Sequence, residues 1–201
     1  MLDSTVRPLI DPPLNVMGRA LAARGVSANG VTLVAMLVGL GAAAAVATGA
    51  FSLGFALIVV NRLMDGVDGA VARASGKTDF GGYLDIFADF VFYAAIPAAF
   101  AVADPAAHAL AAAVLLASFI LAGVSFLGYA IVAGQRGMTT TAQGEKSFYY
   151  MAGLAEGTET IAVFLLVTAR PDWFVPVAYT YAVVCAVTGF SRLAMGWRTF
   201  R

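Results

Sequence analysis

The chain has 201 residues, of which 61% are hydrophobic and 12% charged, with a formal net charge of zero and a mean hydropathy of +0.85. That is far more apolar than a soluble domain tolerates, and balanced charge excludes a global basic field for nucleic acid or a polybasic membrane arm. The lone Cys185 excludes an intrachain disulfide or a thiolate metal site and is expected to pack in an apolar span.

The first segment, MLDSTVRPLIDPPLN, mixes charge and proline before any apolar run, unlike a signal peptide, so no cleavage is expected. In PLNVMGRALAARGVSANG, Leu14, Met17 and Leu21 share one helical face while Arg19 and Arg24 lie elsewhere. Residues 1–28 are therefore predicted to form an amphipathic helix in the headgroup plane, with a merely amphipathic linker helix as the alternative.

Six apolar stretches follow, near 31–51, 54–74, 84–103, 107–133, 148–169 and 174–195. Each has roughly the 20 residues that cross the hydrocarbon core. None alternates at period two, which excludes a barrel. The expected fold is all-α and integral to the membrane, with six transmembrane helices in residues 29–201 and one domain over 1–201. The second and third spans are interrupted by acids, yet their flanks are too apolar for solvated loops.

Lys and Arg set the orientation. Arg7, Arg19 and Arg24 precede the first span, Arg73 and Lys77 follow the second, Arg136 and Lys146 follow the fourth, and Arg192, Arg198 and Arg201 end the chain. The opposite loops hold only Arg170. A multi-pass protein of the cell (inner) membrane with both termini and the 2–3 loop in the cytoplasm is predicted.

That loop and its flanks, DGVDGAVARASGKTDFGGYLDIFAD, hold five acids in residues 65–89. Asp65 and Asp68 are three apart and Asp85 and Asp89 four apart, so each pair projects from one face of its helix, and a short turn would bring the pairs together. A charge near the bilayer centre costs about 2.5–3.5 kcal/mol, so four uncompensated carboxylates cost ~10 kcal/mol. Arg62 and Arg73 could neutralise them as a buried ion-pair cluster. Two divalent cations fit better, and an all-oxygen set suits Mg²⁺ or Mn²⁺ rather than zinc. The single His108 is expected at the opposite interface.

Gly66, Gly69, Ala70, Ala72, Gly81 and Gly82 surround the acids. Small residues let backbones approach one another; beside metals they also let a phosphate-bearing ligand press on the helix, where Arg73 could pair with its anionic oxygens.

The spacing Asp65-x2-Asp68-Gly69-x2-Ala72-Arg73-x7-Gly81-x3-Asp85-x3-Asp89 matches the signature of the CDP-alcohol phosphotransferases without a departure, and the six-span layout resembles that family over nearly the whole chain. These membrane enzymes move a substituted phosphate from a CDP-linked donor to an alcohol and release CMP. The resemblance implies that Asp65 and Asp85 bridge two metal ions, that Asp68 and Asp89 complete one site each, and that Asp89 is the general base. It also implies donor contacts from Gly69 and Arg73, and from Asn29 and Thr32, which match an Asn-x2-Thr element. Helix capping by Ser27 or Asn29 is the alternative for that element. Thr78 and Asp79 are expected to cap the third span, Thr78 also being within reach of a phosphate, and Asn61 shares the face of Asp65.

Acceptor choice lies outside the signature. Glu156 and Glu159 interrupt the fifth span, Lys146 precedes it and Arg192 ends the sixth; intramembrane acids are functional candidates. Members that take a phosphorylated polyol, as phosphatidylglycerophosphate and phosphatidylinositol phosphate synthases do, cluster basic side chains there. Two glutamates would repel a phosphate unless Lys146 and Arg192 screen them, so an acceptor without a phosphate is expected, with Glu156 and Glu159 as structural partners of Arg192 or Lys146 as the alternative. CDP-diacylglycerol is the expected donor; a CDP-amino alcohol is the family's other direction. A transporter or channel also carries intramembrane acids, but it needs a polar path through both leaflets, and these acids cluster toward one side. Family resemblance further implies a homodimer in the bilayer and no nucleic-acid partner.

Overall fold

Apolar runs of this length satisfy their backbone hydrogen bonds within each segment, and Gly, Ser, Thr and Pro punctuate them. The computed structural model describes residues 3–138 and 153–201. Among them the chain is helical, with no strand: α1 (Asp3–Ala23), α2 (Ala28–Ala47), α3 (Phe51–Ser75), α4 (Asp79–Ala103), α5 (Pro105–Gln135), α6 (Gly157–Ala169), a 3-10 turn (Pro171–Trp173) and α7 (Phe174–Phe200).

Local chemistry accounts for the breaks. Gly49 and Gly76 adopt φ of 78° and 100° just beyond α2 and α3, a conformation that side chains other than glycine's resist. Ser27 caps α2 by accepting from the Gly30 N–H at 3.1 Å. Thr78 caps α4 by accepting from the Gly81 N–H at 3.0 Å. Asp104 accepts from the Ala107 N–H at 3.0 Å, and Pro105 takes the first position of α5, where its missing N–H costs nothing.

Helices α2, α4 and α5 and the segment Pro171–Phe200 are long and apolar enough to cross a membrane. Helix α3 is as long as α4 but falls outside this group, because Arg62, Asp65, Asp68 and Arg73 occupy it from its middle onward. The described part of the fifth expected span is α6, of 13 residues; positions 148–152 of that span lie outside the described residues.

Helix α2 packs on α3 and α4, α5 on α4 and α7, and α6 on α3 and α7. Their shared core contains Ile58, Phe92, Ile96, Phe100, Leu115, Phe164, Phe174 and the expected Cys185. Phe100 and Phe174 stack with centroids 4.2 Å apart. His108 is half-buried beside them, its Nδ1 3.2 Å from the Phe100 carbonyl, which accounts for it as a side chain of the helix end. Outward-facing Leu110 and Ile120 are 70% and 66% exposed, as suits surfaces that meet lipid.

Helix α1 has a second packing surface of its own. Leu14 is buried with Val67, Ala70 and Val71 of α3, and Leu21 packs against the same cluster, while Met17 is 44% exposed. Two of the three residues that define the amphipathic face thus meet protein, because Leu14, Gly18 and Leu21 form an i, i+4, i+7 stripe toward α3. A Cβ on Gly18 would lie 2.5 Å from the backbone carbon of Ala70. Gly18→Ala must therefore push α1 off α3, with an expected loss of about 1–3 kcal/mol; thermal unfolding in detergent checks this, and an unchanged midpoint would contradict the contact.

Candidate active site between α3 and α4

A three-residue connection reverses the chain between α3 and α4. Asp65 and Asp68 lie about two to three turns before the end of α3, and Asp85 and Asp89 about two to three turns after the start of α4, so the two pairs meet at similar depth. Carboxylate oxygens of Asp65, Asp68 and Asp85 lie within 4.8 Å of one another. The trio grades outward, from buried Asp68 through half-buried Asp65 to exposed Asp85. Helix α2 supports its buried end: the Thr32 hydroxyl donates to Asp68 Oδ2 at 2.7 Å, offsetting part of the cost of burying that carboxylate.

Asp89 is not one of the trio. Arg62 Nη1 donates to its Oδ1 at 2.9 Å and lies 3.8 Å from Asp65 Oδ1. The guanidinium also donates from Nε to Asn61 Oδ1 at 2.7 Å and stacks 4.4 Å above the Phe92 ring. Arg62 thus does join the carboxylates, as the ion-pair alternative holds, while Arg73 pairs with Asn15 and Asp11 of α1. Asn61, 1% exposed, sits behind Arg62.

Of the expected donor contacts, Thr32 touches the trio directly. Asn29 and Thr78 converge on the first turn of α4, where a Cβ on Gly81 would lie 3.0 Å from Thr78 Oγ1 and 3.1 Å from Asn29 Oδ1. Gly81 is therefore accounted for by fit against these two side chains. Gly69 differs: a Cβ there would meet only Arg73 Nη1, at 3.4 Å, so nothing among the described residues demands a glycine. Arg73 donates from Nε and Nη2 to Asn15 Oδ1 at 3.0 and 2.9 Å and lies 4.0 Å from Asp11. The partnership with Asn15 has no sequence signal, since 58 residues separate the two.

Of the expected acceptor residues, Glu156 and Glu159 lie at the start of α6. Glu156 Oε1 accepts from the Gly153 N–H at 2.7 Å, and the Thr188 hydroxyl of α7 accepts from the Leu154 and Ala155 N–H groups at 3.1 and 2.9 Å. A Cβ on Gly153 would lie 2.9 Å from Arg192 Nη2, and one on Gly157 3.4 Å from the Tyr93 hydroxyl. Tyr93 lies one turn beyond Asp89 on α4, so the start of α6 approaches the Asp89 side of the site. Arg192 is 8% exposed, donates to the Ala122 carbonyl at 3.4 Å and lies over Phe126. Glu159 stands in the first turn of α6, and Lys146 lies outside the described residues.

An oxygen-only trio of this size fits a hard divalent cation. The model of the CDP-alcohol phosphatidyltransferase family matches residues 26–190, a range that contains Asp65, Asp68, Asp85 and Asp89. The chain belongs to this family. It is a membrane transferase of substituted phosphate groups. Inner membrane protein YnjF of Escherichia coli is 41% identical over 201 residues, covering all of this chain and 98% of that protein. An archaetidylinositol phosphate synthase of Pyrococcus horikoshii is 36% identical over 83 residues, 41% of this chain and 44% of that enzyme. Among solved structures, Mycobacterium tuberculosis phosphatidylinositol phosphate synthase in complex with manganese and citrate superposes with a TM-score of 0.74 at 19% identity, over 92% of this chain and 88% of that one. A second structure of that synthase, with CDP-DAG bound, has the same TM-score and identity and covers 92% and 93%. At this identity the likeness is one of fold.

Thr32→Val removes the hydroxyl that steadies Asp68 without changing side-chain volume appreciably. The expected outcome is a roughly 10–100-fold weaker affinity for divalent cation, measured by Mn²⁺ titration under electron paramagnetic resonance; unchanged affinity would place Thr32 outside the support of the site.

Proposed function

We propose that this transferase moves a phosphatidyl group from CDP-diacylglycerol to the hydroxyl of an alcohol and releases CMP, as a step of phospholipid synthesis. The observation that carries this reading is the convergence of Asp65, Asp68 and Asp85 beside Gly69, which nothing among the described residues requires to be glycine. The structural neighbour described with CDP-DAG supports the choice of donor. Asp65, Asp68, Asp85 and Asp89 hold two divalent cations, Mg²⁺ or Mn²⁺, which when bound neutralise charge on the diphosphate and on the departing CMP.

The residues divide the remaining work. Gly69 lets the nucleotide lie against α3, Arg73 turns from Asn15 toward an anionic oxygen of the diphosphate, and Asn29, Thr32 and Thr78 bound the donor from α2 and the start of α4. Asp89 accepts the proton of the acceptor hydroxyl as its oxygen forms a bond to the phosphorus that bears diacylglycerol. The bond from that phosphorus to the CMP oxygen breaks, and CMP leaves with the electron pair.

Residues 1–201 act as one domain with six spans, α3 and the segment 148–169 completing the four apolar ones. Helix α1 lies at the inner face, both termini and the site face the cytoplasm, and the enzyme works as a homodimer in the inner membrane. The charge distribution along the chain supports this orientation.

The acceptor we favour lacks a phosphate: a neutral polyol, an amino alcohol or the hydroxyl of another lipid. Glu156 and Glu159 at the start of α6, near the Asp89 side of the site, support it, since they would repel an anionic acceptor. The second reading, a phosphorylated polyol, is favoured by Arg192 beside Gly153 and by the inositol phosphate synthases among the similar proteins, with Lys146 as its other cation.

CMP release from CDP-diacylglycerol with a panel of alcohols, followed by product mass, tests the proposal. Turnover with a phosphate-free alcohol, abolished by chelation and restored by Mg²⁺ or Mn²⁺, is expected; turnover confined to phosphorylated polyols selects the second reading, and no CMP release with any acceptor overturns both. Asp89→Asn should keep donor binding and lose roughly 10²–10⁴-fold in turnover, whereas wild-type turnover would remove it as the base. Glu159→Gln should raise the acceptor KM roughly tenfold, the loss of one charge-assisted contact; an unchanged KM removes Glu159 from the acceptor site.

A further inference from the structure

Behind the carboxylates runs a chain of hydrogen bonds that crosses three helices. It begins at the Ala35 carbonyl of α2, which accepts from Asn61 Nδ2 at 2.7 Å. A carbonyl can only accept, so this contact fixes which way the amide points and turns Oδ1 toward Arg62. Asn61 Oδ1 then accepts from Arg62 Nε at 2.7 Å, and Arg62 Nη1 donates to Asp89 Oδ1 at 2.9 Å.

The surroundings are shaped for this chain. A Cβ on Gly39 would lie 3.0 Å from both Asn61 Nδ2 and the Phe92 ring, so the bare backbone of α2 there admits the amide and the ring together. Phe92 is 2% exposed and carries the guanidinium on its face at 4.4 Å. An arginine paired with a carboxylate through one bond would sample many rotamers. Here its planar fork is gripped at Nε, at Nη1 and on its face, so its position is set before any substrate arrives.

We infer that Arg62, braced by Asn61, is a positioning residue for Asp89: it holds the carboxylate by Oδ1 at the side of the metal trio, in the orientation that receives the acceptor's proton. The inference rests on the role of Asp89 proposed above. A displacement of about 1 Å at a reacting group costs on the order of 100-fold in rate, and the bond from Arg62 is what ties Asp89 of α4 to α3. A purely structural ion pair would add stability or helix registry without touching the chemical step, and kinetics separates the two.

The experiment compares Arg62→Ala, Arg62→Lys, Asp89→Asn and the Arg62→Ala/Asp89→Asn double variant, each purified as the full chain in detergent. For Arg62→Ala, kcat at saturating Mn²⁺ should fall about 100-fold, while the KM for CDP-diacylglycerol stays within about threefold. Arg62→Lys, which restores the charge at Asp89 but not the bond to Asn61, should recover part of the loss, as should low millimolar guanidinium added to Arg62→Ala. The double variant should be no slower than Asp89→Asn alone, because both changes strike one unit.

Wild-type kcat in Arg62→Ala at saturating Mn²⁺, a loss seen instead in donor KM alone, or an additive double variant overturns the assignment. Where Arg62→Ala does not yield a monodisperse protein, Asn61→Ala, which leaves both charges in place, carries the test: kcat about tenfold lower with donor KM unchanged supports the brace, and wild-type kcat overturns it. The two readings fail separately. Full turnover in Asp89→Asn overturns the role of Asp89 itself, whereas an inactive Asp89→Asn beside a fully active Arg62→Ala overturns only the role given to Arg62.

Discussion

Carboxylates held between apolar helices must be met by charge or by donors, and the arrangement of α2, α3 and α4 follows from that need. Each helix contributes something to it. Helix α2 supplies the Thr32 hydroxyl to Asp68 and the Ala35 carbonyl that anchors Asn61. Helix α3 supplies Arg62 to Asp89. The trio Asp65, Asp68 and Asp85 stands where these supports meet, an all-oxygen group of a size that could hold a divalent cation.

Much of this was legible before any coordinates. Spacings of three and four residues place each aspartate pair on one helical face regardless of tertiary packing, and Ser27 and Thr78 mark helix starts through chemistry local to each turn. The limits have equally physical causes. Thr32 meets Asp68 across 36 residues, Arg62 meets Asp89 across 27 and Arg73 meets Asn15 across 58. Such meetings depend on how helices rotate against one another, which periodicity within a single helix does not encode. The amphipathic face of α1 shows the same limit: an apolar stripe reads identically whether lipid or α3 will cover it.

The start of α6 shows how the second half of the chain is joined to the first. Its backbone donors are taken by Thr188 and by Glu156 itself, and Gly153 and Gly157 admit Arg192 and Tyr93 at close range. The same short segment thus touches α7 on one side and the helix that carries Asp89 on the other. Hydropathy alone sees there only an apolar span with two glutamates in it.

Two glycines on α1 and α3 carry opposite kinds of constraint. Gly18 stands outside the family signature, yet a methyl group there would overlap the backbone of Ala70; Gly69 stands inside the signature, yet the described residues leave room for a side chain. A population of variants selected only for reaching the membrane folded would keep Gly18 and let Gly69 drift, and only selection for growth on the product would recover it. The imprint of chemistry on this chain is thus to be sought where the fold is indifferent.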